Sequence, residues 1–512
     1  MWIEVYNNYW PPVRCTVDEA SSSSGREPNQ KLRWLHIYFA IKMELSSGSQ
    51  REPHARTLHI AMYPWLAVGH IIPFLETSNK LATKGHKVSF LIPPRTRSKL
   101  AHFNRHPHLI TFVPITLPPV EGLPLGAETT ADLPSSLGTL LMDSMDRTQP
   151  QIEAILNRLK LDVVFFDFTH WLPALARQLG IKSVFYSVVN PSTIAYALSP
   201  ARRLPGKELA GVDMAQPPEG YPLSAMKLHA HEARAFEARR KRKFGGDMLF
   251  YDSLYASLCQ CDALGFSTCG EIEGPFCDYL GSQYEKPVLL SGLFVNEPPS
   301  SSSLDERWGI WLRKFKAGSV VYCALGTECS LTEDNFQELV MGLELTGLPF
   351  LAVLRPPVGS ESVEEALPES FNERIQDRGV VYGGWVHQQL ILVHPSIGCF
   401  LTHCGSSSLR EGFVSHCQLV LLPHKGDQMI NARLASLTLR VGVEVERGEE
   451  DGSFTRDSVC GAVRSVMDED SEVGQEVRGK HAKLRELLLS KDFDAFYTQT
   501  FSEKLADICL HE

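Results

Sequence analysis

What this 512-residue chain lacks narrows its function before any motif is considered. No run of apolar residues approaches the roughly 20 needed to span a bilayer. The stretch from Phe501 to Glu512 carries Glu, Lys, Asp and His and is not expected to be a membrane anchor. Met1 to Trp10 holds Glu4 and no early Lys or Arg, which does not fit a secretory signal. Positive charge is in deficit: 50 Lys and Arg against 60 Asp and Glu leave a net −10, which argues against nucleic acid as a partner. The one dense basic run, Arg239 to Lys243, is expected to be a solvated helix face, with a nuclear-import signal as the alternative. The 12 cysteines are scattered, several of them inside apolar runs, which suits a reducing compartment, the cytoplasm, better than a disulfide framework. No Gly-x-Gly-x-x-Gly follows the first predicted strand, where Pro64 to Gly69 stands instead. This excludes a dinucleotide-dependent oxidoreductase. No short tandem repeat is evident.

What is present is a soluble globular composition, 43% hydrophobic and 21% charged, in a chain long enough for two domains. Residues 1–56 are poor in core-forming residues. They contain Pro11-Pro12, the Ser21–Ser24 run and Ser46-Ser47-Gly48-Ser49, and are expected to be a disordered extension, with Met43 as the expected true start. From Thr57 the chain alternates strands and helices. Thr57–Tyr63 reads as a buried strand, Pro64–Gly69 as a loop, Ile71–Lys84 as a helix and Lys87–Ile92 as a second strand, a grammar that implies a parallel sheet. It recurs at Leu161–Phe166, Leu172–Leu179 and Ser183–Tyr186. Leu289 to Ser303, which ends in two prolines and four serines, marks an interdomain linker. A second α/β series follows, with strands at Val320–Leu325 and Phe350–Leu354 and a helix at Thr332–Leu345. Closing helices are expected at Lys480–Leu489 and Phe493–Leu510. The expected boundaries are 57–292 for the first domain, 293–310 for the linker, 311–485 for the second domain and 486–512 for a final helix. Ligands of open parallel sheets sit beyond the carboxyl ends of the strands, so two such domains imply a cleft between them.

The most informative stretch runs 44 residues, from Trp385 to Gln428. At its centre a short apolar run, Cys399 to Thr402, passes through a small polar turn, His403 to Ser408, into a predicted helix. Strand, tight turn and helix together aim unpaired backbone N–H groups and the positive end of a helix at one point, which suits a phosphate. Serine hydroxyls at 406, 407 and 408 and the His403 ring add donors. Glu411, one turn into the helix, can accept two vicinal hydroxyls such as those of a ribose, and Trp385 offers a flat face for a base. Together these parts describe a pocket for a nucleotide diphosphate. Two simpler accounts exist. Ser408-Leu409-Arg410-Glu411 also fits a capping box that only satisfies helix-end donors. His394, Cys399, His403 and Cys404 are zinc-ligand types, although their spacing matches no common pattern.

The order of residues across this stretch resembles the donor-binding box of the plant family 1 UDP-sugar glycosyltransferases, which runs from a Trp to an Asp-Gln with His-Cys-Gly and a Glu between. The resemblance covers roughly Thr57 to the C-terminus. It implies a GT-B fold, two Rossmann-like domains facing across a cleft, with the acceptor on the first and the UDP-sugar on the second. It places Trp385 on uracil, Val386 and Gln388 on base and ribose, and His403, Ser408 and Thr327 around the diphosphate; Gly405 belongs to the same donor box, and the Ser407 hydroxyl can donate to a phosphate. Glu411 falls on the ribose hydroxyls, and Asp427 with Gln428 on the sugar. Where most of the family has Trp-Asn after His-Cys-Gly, this chain has Ser406-Ser407. Such departures are familiar in the branch that extends sugars already on flavonoids, and Val120–Pro124, Thr129–Asp132 and Asp167–Trp171 resemble that branch too.

Sugar transfer to a hydroxyl needs a base, stabilisation of the leaving diphosphate and exclusion of water. His70 follows the loop after the first strand, and the segment Pro64–Leu75 resembles the family's catalytic-histidine loop, so His70 is the candidate base. Asp167 ends an apolar strand, where a buried carboxylate needs a partner. It is the candidate for holding the His70 tautomer, with a helix N-cap as its alternative and His170 as a lesser rival base. The expected reaction is an inverting single displacement onto an anthocyanin or flavonol 3-O-glycoside. The UDP-sugar is the co-substrate, with no cofactor or metal, and the protein is expected to be a monomer. A glycosyltransferase for terpenoids or hormones, and a catalytically silent nucleotide-sugar binder, are the competing functions.

Overall fold

The computed structural model describes residues 56–203, 211–246, 248–295 and 303–510. The expectations about residues 1–55, Met43 included, and about the Pro-Ser run at 296–302 lie outside the described residues. Among the described residues thirteen strands form two sheets in which every pairing is parallel. The first sheet holds β1 (His59–Tyr63), β2 (Lys87–Ile92), β3 (Ile110–Pro114), β4 (Val163–Phe166), β5 (Lys182–Ser187), β6 (Ala263–Phe266) and β7 (Val288–Leu290), in the order β3-β2-β1-β4-β5-β6-β7. The second holds β8 (Val320–Ala324), β9 (Phe350–Val353), β10 (Gly379–Tyr382), β11 (Ile397–Thr402), β12 (Gln418–Leu421) and β13 (Gly442–Glu444), in the order β10-β9-β8-β11-β12-β13.

The central strands read as unbroken apolar runs because helices cover both faces of each sheet there, while the edge strand β3 is partly exposed. Every residue of β4, β8 and β11 is buried. In each sheet the strand order reverses beside its first strand. In the first sheet β1 lies next to β4, with Tyr63 opposite Phe166 at their carboxyl ends. In the second β8 lies next to β11, with Ala324 opposite Thr402. These two reversal points are where ligands of such sheets sit. His70 and Asp167 follow the first pair of strands; Thr327 and His403 follow the second.

Several boundaries differ from the sequence expectation. The helix after β1 is Val68–Thr83, so His70 sits in its first turn rather than ahead of it, and Pro73 is the sixth helical residue. β7 occupies the start of the expected Leu289–Ser303 linker, and the helix Glu306–Leu312 begins inside the expected 293–310 span. The closing helices are Glu472–Leu488 and Lys491–Leu510, so the chain breaks after 488 rather than at 485.

The last helix returns to the first domain. Phe501 and Leu505 are buried in its core, where Phe501 packs on Phe165 and Tyr186. Ser502 hydrogen-bonds His86 at 2.7 Å, and Asp494 pairs with Lys80 at 2.6 Å. Each apolar side chain fixed this way contributes about 1.5–3 kcal/mol. Other ties cross between the domains. The buried Glu232 carboxylate accepts from Arg433 at 2.9 Å and also from Arg447. Buried Arg410 donates to the Ser267 carbonyl at 2.6 Å.

Candidate active site

Tyr63 and Phe166 end adjacent strands, so the chain segments that leave them run side by side. His70 Nδ1 meets Asp167 Oδ2 at 2.6 Å. The other Asp167 oxygen accepts from the backbone N–H of Trp65 at 2.7 Å and of Phe168 at 2.8 Å. Asp167 is 1% exposed, and its three bonds leave it no role as a helix cap: the next helix, Leu172–Gln178, has Trp171 at its N-cap without side-chain capping. Because the carboxylate only accepts, Nδ1 carries the proton and Nε2 keeps its lone pair. The Phe168 ring meets the imidazole edge-on, with centroids 5.0 Å apart, and fixes its plane. His70 and Asp167 open onto a cavity of about 180 Å³ walled mainly by Phe168, Phe236, Phe250, Tyr251 and Leu254. Asp427 and Arg239 also line it. His170 does not line it.

A second cavity, of about 560 Å³, opens at the carboxyl ends of β8 and β11. Thr327, Trp385, Val386, Gln388, His403, Ser408 and Gln428 all line it. Trp385 is 65% exposed, so one face of the indole is free. The His403 ring is held in a slot that only glycine permits. A Cβ on Gly326 would stand 2.8 Å from His403 Cε1, and one on Gly405 2.6 Å from His403 Nε2. Burial lowers the His403 pKa to about 4, with Lys425 acting in the same direction, so the imidazole is neutral and offers an N–H. Cys404 takes a left-handed backbone (φ 64°), which turns the chain into the helix Ser406–Val414. Gly405 is that helix's N-cap, in an extended conformation. The capping box that Ser408-Leu409-Arg410-Glu411 also fits does not form, because Ser408 is already the third helical residue. Instead its hydroxyl accepts from Gln388 at 3.2 Å. The Gln428 side-chain oxygen accepts from the backbone N–H of His424 and Lys425, 3.0 Å each, which fixes the loop before it.

Four expected donor residues do not line this cavity, Gly405 among them, which backs the His403 ring. Glu411 lies behind the cavity, accepting from Gln388 at 2.7 Å and Gln389 at 3.1 Å, and faces a separate interdomain cavity. Burial raises its carboxyl, and the two amides oppose that shift. Ser407 is exposed at the helix tip and lines neither cavity. Asp427 faces the His70 cavity rather than the larger one. Burial raises its carboxyl, Arg239 draws it down, and Asn431 donates to it at 3.2 Å.

The sequence reading missed several residues. Lys425 lines the larger cavity and reaches the Glu328 carbonyl at 3.1 Å; Arg355 lines it too and donates to the Thr327 carbonyl. Ser406 donates to Asn190 of the first domain at 3.3 Å, and Asn190 donates to Asn431 at 3.0 Å, so the residue in the family's Trp position joins the two domains. The run Arg239–Lys243 is not simply a solvated face, because Arg239 reaches the cleft. The zinc-ligand types His394, Cys399, His403 and Cys404 are not brought together. Among the described residues the metal-competent group is His229, His231 and Glu232, which lines neither cavity and whose carboxylate already serves Arg433 and Arg447.

Residues 281–473 match the family model described as UDP-glucoronosyl and UDP-glucosyl transferase. The cyanidin 3-O-galactoside 2''-O-xylosyltransferase of Actinidia chinensis var. chinensis is 61% identical over 89% of this chain and 99% of its own length. The anthocyanidin 3-O-glucoside 2''-O-glucosyltransferase of Ipomoea nil is 58% identical over 90% and 99%. Among solved structures, Arabidopsis thaliana UGT89C1 complexed with UDP-L-rhamnose superposes with a TM-score of 0.67 at 20% identity. It covers 89% of this chain and all of its own, a likeness of fold. The described strands accordingly form the two Rossmann-like sheets of a GT-B fold. With relatives this similar along nearly their whole length, the chain belongs to the family of UDP-dependent glycosyltransferases.

Proposed function

We propose that this enzyme transfers a glycosyl group from a UDP-sugar to a sugar hydroxyl of an anthocyanin or flavonol 3-O-glycoside, by a single inverting displacement. The observation that carries the reading is the His70–Asp167 pair, 2.6 Å apart, on a cavity that also takes in Asp427 from the second domain. A base and a carboxylate from the sugar-binding box thereby face one space. The acceptor class rests on the named relatives, which act on 3-O-glycosides at the 2'' position with either xylose or glucose as the added sugar.

His70 Nε2 takes the proton of the acceptor hydroxyl. The oxygen attacks the anomeric carbon as its bond to the diphosphate breaks, and UDP leaves from the opposite face. Asp167 stabilises the imidazolium that forms, and such a positioned base is worth about 10²–10⁴ in rate. Trp385 stacks on the uracil. His403, Thr327, Ser408 and the N-terminal end of the helix Ser406–Val414 receive the departing charge. A neutral His403 binds the diphosphate by its N–H, and the anion draws its pKa back up. No step passes through a metal. One chain carries every group this scheme uses, which fits a monomer, and the described cysteines are unpaired, which fits the cytoplasm.

The test is a product assay. Kaempferol 3-O-glucoside or cyanidin 3-O-glucoside is incubated with UDP-glucose, UDP-xylose, UDP-galactose and UDP-rhamnose in turn, and product mass is measured. A gain of one sugar on the glycoside is the expected result and identifies the donor. Transfer to the free aglycone alone would refute the acceptor assignment.

A further inference from the structure

The wall of the His70 cavity is apolar except at one patch. Arg239, at the end of the helix Ala230–Arg240, is the permanent cation among its lining residues, and Asp427 stands close enough for the two charges to act on each other. Among the described residues the Arg239 guanidinium forms no ion pair. A Cβ added at Gly426 would clash with it, so it lies across the cleft against the backbone just before Asp427. The second observation is Thr193. It lines the same cavity and is 7% exposed, and its hydroxyl has no hydrogen-bond partner. A buried hydroxyl left unpaired is destabilising. This one lies enclosed in a residue of the wall shared with the base, where a change of rotamer would bring it to a ligand.

We propose that Arg239 and Thr193 form a subsite for the sugar already attached to the acceptor, which they hold so that one of its hydroxyls reaches His70. The inference rests on the acceptor class proposed above and goes beyond it by naming the residues that read that sugar. The chemistry favours a neutral polyol. Arg239 offers only N–H donors, Thr193 can donate and accept, and Asp427 beside them balances the cation, so an anionic group gains little. The aromatic wall at Phe168 and Phe250 takes the flavonoid rings. Without its sugar, a flavonoid leaves Thr193 unpaired and Arg239 unused, and discrimination of this kind between partnered and unpartnered polar groups is large.

The experiment measures direct binding of kaempferol 3-O-glucoside and of kaempferol to UDP-loaded wild type, Arg239→Ala, Arg239→Lys and Thr193→Val, with transfer assayed in parallel. The wild type should prefer the glycoside at least about tenfold. Arg239→Ala should erase most of that preference, Thr193→Val a smaller part, and Arg239→Lys should restore some of it, all with UDP affinity unchanged. Equal binding of both ligands by the wild type would overturn the subsite, as would a preference that survives both Arg239→Ala and Thr193→Val. A loss of UDP affinity in Arg239→Ala would overturn it too, since the residue would then be holding the domains together. Transfer to the glycoside without an Arg239 effect removes the subsite and leaves the acceptor class standing. Arg239-dependent binding preference without transfer to the glycoside keeps the subsite and removes the acceptor class.

Discussion

The two cavities of the cleft are built in opposite ways. The donor-side cavity is the larger, about 560 Å³, and its described lining comes wholly from the second domain. The acceptor-side cavity is about 180 Å³, largely apolar, and takes residues from near 70, 167, 185–198, 236–254 and 427, that is, from both domains. One is shaped by loops that all leave the carboxyl ends of a single sheet, the other by segments of both domains. Recognition of the shared nucleotide can therefore stay constant while the acceptor side changes by single substitutions on separate elements.

The contrast can be broken first at the base. His70→Ala should lower turnover by about 10²–10⁴ while UDP affinity, a property of the other cavity, stays within twofold. Turnover close to wild type would remove His70 from the mechanism; a matching loss of UDP affinity would show that the cavities are not independent.

Acid should act mainly on the donor side. Burial holds His403 near a pKa of about 4 and His424 near about 3, against an ordinary 6.5, and His481 under the helix Ser406–Val414 near about 4. The unfolded chain takes up these protons below pH 6.5 and the folded chain does not. Stability is thus full above about pH 6.5 and falls as pH drops toward 4, on the order of 1.4 kcal/mol per pKa unit for each such group. Denaturant melts from pH 7.5 to 4.5 should show this loss. Saturating UDP should oppose it, because an anion beside His403 raises that pKa; a flat profile would contradict the burial of these rings.

A smaller effect is expected at Trp385. Trp385→Ala should weaken UDP-sugar binding by about 1–3 kcal/mol, roughly five- to 150-fold, with the KM for the acceptor unchanged. An unchanged UDP affinity would place the base elsewhere. The smallest belongs to Ser406→Ala, which removes one hydrogen bond to Asn190 worth about 0.5–1.5 kcal/mol. Because that bond joins the two sides, both substrate KM values should rise a few-fold, whereas a change confined to one substrate would show that Ser406 serves a single cavity.

The same contrast explains what the sequence disclosed. The donor side was legible because its phosphate end is consecutive: a strand ending at Thr402, a turn at His403–Gly405 and a helix from Ser406 leave few other arrangements. The simpler alternative there does not hold: extended Gly405 starts the helix two residues ahead of Ser408, so the capping-box pattern is formed by residues already inside the helix. Glu411 is occupied by two glutamine amides that nothing in its own turn foretells. On the acceptor side His70 and Asp167 were legible because each follows a strand end, and parallel strands align such ends. Arg239 was hidden among five basic residues, where composition does not tell which one faces the cleft. Thr193 was one threonine in an apolar helix. β7, three residues long and set against a Pro- and Ser-rich stretch, read as linker because so short a strand gives no period to detect.

The central claim, transfer with inversion onto a sugar that is already attached, is tested most directly by NMR of the product from kaempferol 3-O-glucoside and UDP-α-D-glucose, or UDP-α-D-xylose if that is the donor used. The account predicts one new anomeric proton with the large coupling of a β-linkage, correlated to a carbon of the first sugar. An α-linkage would contradict the single displacement at His70, and a correlation to a flavonoid ring carbon would contradict the acceptor.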